Sequence, residues 1–313
     1  VGEITNFPYG ASSFGVVLPA APFYFNVFGA GTIYVNGNNG ADGQYGTDPT
    51  TAVKTMGRAF QLIQSGQTII LEGQVKEQIT APLNVSDVTI LGAGTNPRYG
   101  NESSFTNPLL DYAAAWRPPT SPAATTPLLT LRQQGWRFVN ILFDCPSDAA
   151  GVLLKRAEDA VDPDPSHASF YGCDFVDGAT GIQDIGGSSN ITIDTCRFQR
   201  LTSRSVYSSA QAIALPLQWL VQNNTFSDVN GGMTFPGSNC VIQNNLFMDG
   251  ATSHYTNGKI NTSGGARNMV INNYTFDLSA DVDPAHGYTG SATDVWRTFA
   301  IDAADPVITS PPA

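Results

Sequence analysis

The sequence predicts an all-β fold, a right-handed single-stranded parallel β-helix, on three observations. One short phrase returns six times between Trp136 and Phe276, apolar residues alternate within it, and asparagine recurs at one position of it. Anchored on Phe143, Phe175, Phe198, Phe226, Phe247 and Phe276, the copies are 32, 23, 28, 21 and 29 residues apart. Seven residues before each anchor stand Trp136, Ala168, Ile191, Trp219, Cys240 and Met269. Five before stand Phe138, Phe170, Ile193, Val221, Ile242 and Ile271. Alternation of this kind marks strands with one buried face. Three before the anchor, Asn140, Asn223, Asn244 and Asn273 share a column, and Asn tolerates the left-handed backbone of a sharp corner. Helical repeats would show a 3.6-residue period, and a propeller blade needs about 40 residues. Coils of this length cannot bury an inner face alone, so they stack at about 4.8 Å per rung around one core.

The elements follow in order. Residues 1–30 carry Phe7, Tyr9, Phe14, Phe23 and Phe25 among prolines and glycines, with Glu3 the only charge before Asp42. Such a segment is no regular helix and is too apolar for a free arm. It either folds back to cap its own solenoid or lies as an extended anchoring arm in a partner protein's groove. Residues 31–94 hold the first strands and coils. Thr32 to Val35 is the first strand, and a Gly/Asn-rich turn follows to Gly46. A short helix is then capped by Asp48 or Thr50, with an apolar face of Val53, Met56, Phe60 and Ile63. That helix is placed to plug the open end of the solenoid. Gln67 to Glu72 and Val88 to Leu91 are further strands. Residues 95–127 form a Pro-rich loop insertion whose Phe105, Tyr112 and Trp116 are expected on the outer wall or against a neighbouring subunit. The coils occupy 128–276, and 277–313 is a C-terminal cap and tail in which Val295 to Ile301 adds a last strand or cap.

Charged residues make up only 13 % of the chain, against about a quarter in ordinary domains, and the net charge is −11. That balance argues against nucleic acid and against an anionic membrane surface. No run approaches the length of a membrane span, and no secretory leader is visible. The four cysteines are Cys145, Cys173, Cys196 and Cys240. Cys173 and Cys196 share a column one rung apart, where they read as buried free thiols, with a disulfide as the alternative. Their use fits folding in a reducing cytosol.

Candidate chemistry is sparse. Asp228 and Asp249 share the column two residues after the anchor, near the roughly 5 Å separation of a retaining glycosidase pair. Like charges that close would raise one pKa, as acid catalysis requires. Against this, Asp177, Arg200 and Asp228 alternate in sign as a surface ladder does. Asp194, Gln222, Gln243 and Asn272 form a polar stripe four residues before the anchor, read as stacked amides or as a glycan-binding face. The cluster Glu158, Asp159, Asp162 and Asp164 reads as a solvated loop before a cation site. His167, His254 and His286 stand apart, and no metal-ligand spacing, nucleophile motif or nucleotide-binding loop is present, so no metal and no cofactor are expected.

Two resemblances add to this. The run IYVNGNNGADGQYGTDPTTAVKTMGRAFQLIQSGQTIILEG resembles the opening of pectate-lyase-like right-handed β-helix proteins, and with the repeats it covers most of the chain. The lyases of that superfamily imply calcium-binding aspartates and a catalytic Arg or Lys on one face, and no such set maps here. Upstream, ITNFPYGASSFGVVLP resembles the start of β-helix virion proteins of tailed bacteriophages, over residues 4–19. What it implies is a structural component of the virion, assembled in the host cytoplasm. By that analogy the chain is a homotrimer attached through its N-terminal arm to the major capsid or another virion protein. Such a trimer is a capsid decoration or head fibre, with a polysaccharide-cleaving tailspike or an adhesin for a host surface glycan as the alternatives.

Overall fold

A computed structural model describes residues 12–13, 16–17, 31–93, 114–156, 164–209, 216–234, 236–248, 259–276, 288–301 and 306–309. All but two of its strands belong to one 24-stranded sheet that winds as a parallel β-helix. Each full coil contributes three strands, and like strands of successive coils pair in parallel to make three faces.

Sheet A stacks Thr32–Asn36, Thr68–Glu72, Thr89–Gly92, Arg137–Val139, Ser169–Tyr171, Thr192–Asp194, Leu220–Gln222 and Val241–Gln243, then the first residues of Met269–Phe276 and Val295–Ile301. Sheet B stacks Gln74–Lys76, Ala115–Arg117 and Leu142–Asp144, continues through the starts of Asp174–Asp184 and Arg197–Ser208, and ends with Thr225–Ser227 and Leu246–Met248 before the later residues of the same two long strands. Sheet C runs from Ile79–Thr80 through Leu129–Leu131 and Ala150–Leu154 to Ile260–Asn261 and Tyr288–Thr289.

Every face turns one apolar column inward. On sheet B the column is Val75, Trp116, Phe143, Phe175, Phe198, Phe226 and Phe247, all buried. The five phenylalanine rings stack nearly parallel, with centroids 4.9, 5.0, 4.9 and 4.6 Å apart. That spacing is the rung spacing itself, so backbone pairing brings the rings into contact without side-chain strain, and each pair adds about 1 kcal/mol beyond area burial. Opposite them on sheet C, glycine leaves room: a Cβ on Gly181 would lie 2.8 Å from Phe198 Cδ1 and 2.7 Å from the Ser205 carbonyl oxygen.

The corner between sheets A and B is left-handed at Asn140, Gly172, Thr195, Asn223, Asn244 and Asn272, with φ between 52° and 59°. The residue after the corner points inward. In the last three of these coils it is Asn224, Asn245 and Asn273, all buried, and each accepts the backbone N–H of the residue one rung before it: Cys196, Asn224 and Asn245 respectively. Their amides donate to Ile193, Val221 and Ile242 carbonyls at 3.0 Å. The oxygens and amides of these three side chains are thereby bonded along the axis, which is what makes burying them tolerable.

The last repeat is corrected by one residue. Phe247 pairs with Thr275, not Phe276, and the inward residues of that coil are Asn268 and Val270 in place of Met269 and Ile271. Two asparagines in sequence, Asn272 and Asn273, both suit a corner, and the chain takes Asn272 as the left-handed residue so that Asn273 can bond Asn245. The expectation for Trp116 is also overturned. It lies in the core at 0 % exposure, on the strand Ala115–Arg117 inside the predicted loop insertion, stacked on Phe143 with its Nε1 donating to the Glu77 carbonyl. Phe105 and Tyr112 lie outside the described residues.

The helix spans Met56–Leu62, later than expected, because Thr55 caps it; Asp48 caps the 3-10 turn Pro49–Thr51 instead. Met56, Ala59 and Ile63 are buried, and Phe60 sets its ring edge-on to Trp136 at 5.4 Å. The Glu77 carboxylate accepts the N–H groups of Met56 and Gly57, tying the helix start to sheet B. The outer edge of Thr32–Asn36 is closed by Gly46 and Val53 through backbone bonds at Tyr34 and Asn36. The first rung is thus sealed by residues 46–63. Val295–Ile301 adds a further parallel rung to Met269–Phe276, its register shifting between Ile271 and Tyr274, and Pro306–Thr309 lies antiparallel against it. Ser12–Ser13 and Val16–Val17 form an antiparallel pair in a sheet of their own. No helix of the described residues is long and apolar enough to cross a membrane. The four cysteines are buried free thiols.

Candidate functional site

The outward columns of sheets A and B carry the polar side chains that could meet a ligand. On sheet A, Asp194, Gln222 and Gln243 are register partners on successive rungs. Gln243 Nε2 donates to Gln222 Oε1 at 2.9 Å, and Gln222 Nε2 donates to Asp194 Oδ2 at 2.8 Å. Asn223 supplies a second amide donor to Asp194 at 3.0 Å. The stripe is therefore a one-way relay of amides ending on a carboxylate. Asn272 is not in it: the shifted register puts Ile271 beside Gln243 and Asn272 in the corner.

On sheet B the outward side chains form a mixed-charge patch. Arg117 Nε lies 3.6 Å from Asp144 Oδ2, and Arg197 Nε lies 3.4 Å from Asp174 Oδ1, with Asp174 itself buried. At the next corner, Arg200 donates through Nε and Nη2 to the two oxygens of Asp177. Asp228 follows in the same column, half-buried, also with positive φ at 53°. The alternation of Asp177, Arg200 and Asp228 is thus a charge ladder at a corner, each residue in a conformation that favours short polar side chains. Asp249, the second member of the suggested catalytic pair, lies outside the described residues.

Asp144 was not singled out in the sequence. Burial pushes its carboxyl up to about 6, Arg117 and Arg200 oppose the shift, and Asp177 adds to it. A carboxyl raised to about 6 beside a guanidinium group is chemically able to hold or give a proton. No spacing signal reveals it, because its column holds Lys76, Arg117, Val176, Gln199, Ser227 and Met248 in the other coils. Asp184, fully buried, is likewise raised by burial, but it accepts from Gly186 N, Ser188 N, Ser188 Oγ and Ser208 Oγ and holds a turn at the end of sheet C.

Of the other candidates, Asp164 accepts the Ser166 N–H in a local turn, and His167 occupies an exposed left-handed corner with φ 61°. Glu158, Asp159, Asp162, His254 and His286 lie outside the described residues, as do Phe7, Tyr9, Phe14, Phe23 and Phe25. Among the described residues, no three His, Cys, Asp or Glu side chains are grouped to hold a metal ion.

No family model and no curated protein matches the chain. Solved structures similar to it include a lacto-N-biosidase from Eubacterium ramulus (12 % identity, TM-score 0.46, covering 78 % of this chain and 56 % of that one). An alginate lyase from a Paenibacillus species shares 14 % identity, with TM-score 0.39 over 77 % of this chain and 97 % of that one. A third, from Geobacillus virus E2, shares 11 % identity, with TM-score 0.36 over 86 % and 61 %. The chain thus spans little more than half of the lacto-N-biosidase.

Proposed function

We propose that this chain is a structural protein of a phage particle, a trimeric decoration or fibre whose β-helix projects from a shell gripped by residues 1–30. The observation that carries the reading is the state of the solenoid's first end. Residues 46–63 already seal it, so the aromatic segment upstream is not needed as its cap. The pair Ser12–Ser13 and Val16–Val17 belongs to a sheet separate from the solenoid, in keeping with an arm that serves another protein. The phage-like opening over residues 4–19 supplies the class of partner, a shell protein of the same virion. Quantitative mass spectrometry of purified particles tests the reading. Tens to hundreds of copies relative to the major shell protein support it; absence from the particle overturns it.

One observation favours a second reading, in which the outer face of sheet B acts on a glycan. Burial raises the Asp144 carboxyl to about 6, and it lies beside Arg117 and near the Asp177–Arg200 pair on the outer side of sheet B. A handful of copies per particle, with glycan turnover abolished by Asp144→Asn, would establish it. Unchanged turnover in that variant and in Asp228→Asn would remove this face from contention.

A further inference from the structure

We propose that the outer face of sheets A and B over the last rungs is the surface through which copies of this chain contact one another. The inference rests on the trimeric part of the structural reading and names the surface for it. In the first position of sheet A, the outward column is polar through Arg137, Ser169 and Thr192, then turns apolar through Leu220, Val241, Met269 and Val295. Exposure grows along the same direction: Met269 is 43 % exposed and its register partner Val295 is 60 % exposed. Tyr274, 43 % exposed, extends the apolar surface onto sheet B beyond its register partner Leu246. Four of the six exposed large apolar side chains among the described residues, Leu217, Met269, Tyr274 and Val295, lie in this part of the helix.

Charge selects a second copy as the occupant. The chain carries a net charge of −11, so two copies repel through most of their surface. The outward columns of sheet A from Leu220 to Val295 hold Leu, Gln, Val, Met and Ile, and Arg297 on the last rung is their one ionisable group. A face that carries no carboxylate can meet its own copy around a common axis without adding to the repulsion between the negatively charged chains. Four rungs at about 4.8 Å across two three-residue strands give roughly 400 Å² per copy, half of a standard interface side. Association through it is therefore weak between free chains and strengthened when arms hold the copies side by side.

The test uses the purified full chain, so its failure is separate from absence from the particle. Sedimentation equilibrium from micromolar to sub-millimolar concentration should show reversible self-association. Met269→Asp and Val295→Asp, both at exposed positions, should raise its dissociation constant by about tenfold or more while circular dichroism stays unchanged. Leu83→Asp, at an exposed apolar position of the N-terminal coils, should leave it as it is. As a second readout, Met269→Cys should cross-link copies under oxidised glutathione, since the chain's own thiols are buried. The proposal is overturned by a chain that stays monomeric throughout, or by Asp variants that associate like the parent. Equal weakening by Leu83→Asp would overturn it too. So would a monomer whose particle incorporation is lost in Met269→Asp, which would assign the face to a different particle protein.

Discussion

The side-chain oxygen of Asn245 receives both the backbone N–H and the side-chain amide of Asn224, each at 3.0 Å. Asn245 in turn donates its amide to Val221 O and to Asn273 Oδ1, so one side chain binds three rungs together inside the solenoid. Asn245→Ala leaves the buried Asn224 N–H without its acceptor, at a cost of about 1–3 kcal/mol for each group stranded. Urea unfolding should show a loss of about 3 kcal/mol for Asn245→Ala, and a smaller one for the outward-facing Asn244→Ala.

The ring stack of sheet B makes a second prediction. Phe198 touches Phe175 and Phe226 at 5.0 and 4.9 Å, so Phe198→Ala removes two stacked contacts and opens a cavity. The expected loss is about 3–5 kcal/mol. Gly181→Ala approaches the same ring from sheet C and should cost about 1–3 kcal/mol by overpacking. Combining Gly181→Ala with Phe198→Leu should recover part of that cost, which a double-mutant cycle would read as coupling.

Thr195 is the exception in the A–B corner. Its φ of 53° is strained for a β-branched residue, whereas Asn140, Asn223, Asn244 and Asn272 hold the same conformation comfortably. Thr195→Asn should stabilise the protein by about 1 kcal/mol, read as a higher urea midpoint at unchanged slope.

The carboxyl of Asp144 gives a pH dependence with a definite sign. Its folded-state pKa of about 6 lies above the ordinary 3.8, so between those values the folded chain binds a proton that the unfolded chain lacks. Stability contributed by this group is present at low pH and is lost as pH rises through about 6. Glu77 and Asp184, also raised by burial, act in the same direction. Urea midpoints measured near pH 4 and near pH 7 should therefore fall toward neutrality, and Asp144→Asn should flatten that fall by about 1–2 kcal/mol.

Much of the solenoid was legible because its inner columns repeat at a fixed offset from one large residue. Phe143, Phe175, Phe198, Phe226 and Phe247 align by sequence alone because each must fill the same space. The reading slipped at the sixth copy, where Thr275 takes the ring's place and the neighbouring Phe276 offered a false anchor. That slip also sent Asn272 into the amide stripe. Trp116 was misplaced for a related reason: its coil lacks the corner asparagine and sits amid prolines, so nothing local marks it as a rung. Asn224 and Asn245 share the column two residues before the anchor and were legible as inward positions. The bonding between them, the place of Asn273 and the outward Asp144 were not. Their roles depend on which residues stack beside them, and the irregular insertions between coils hide that from spacing.

The most direct test of the central claim is particle binding by the chain with and without residues 1–30. The full chain should co-sediment with particles lacking their own copies. The shortened chain should remain in solution while keeping the circular dichroism and thermal midpoint of the intact solenoid. Equal binding by the shortened chain would contradict attachment through the arm.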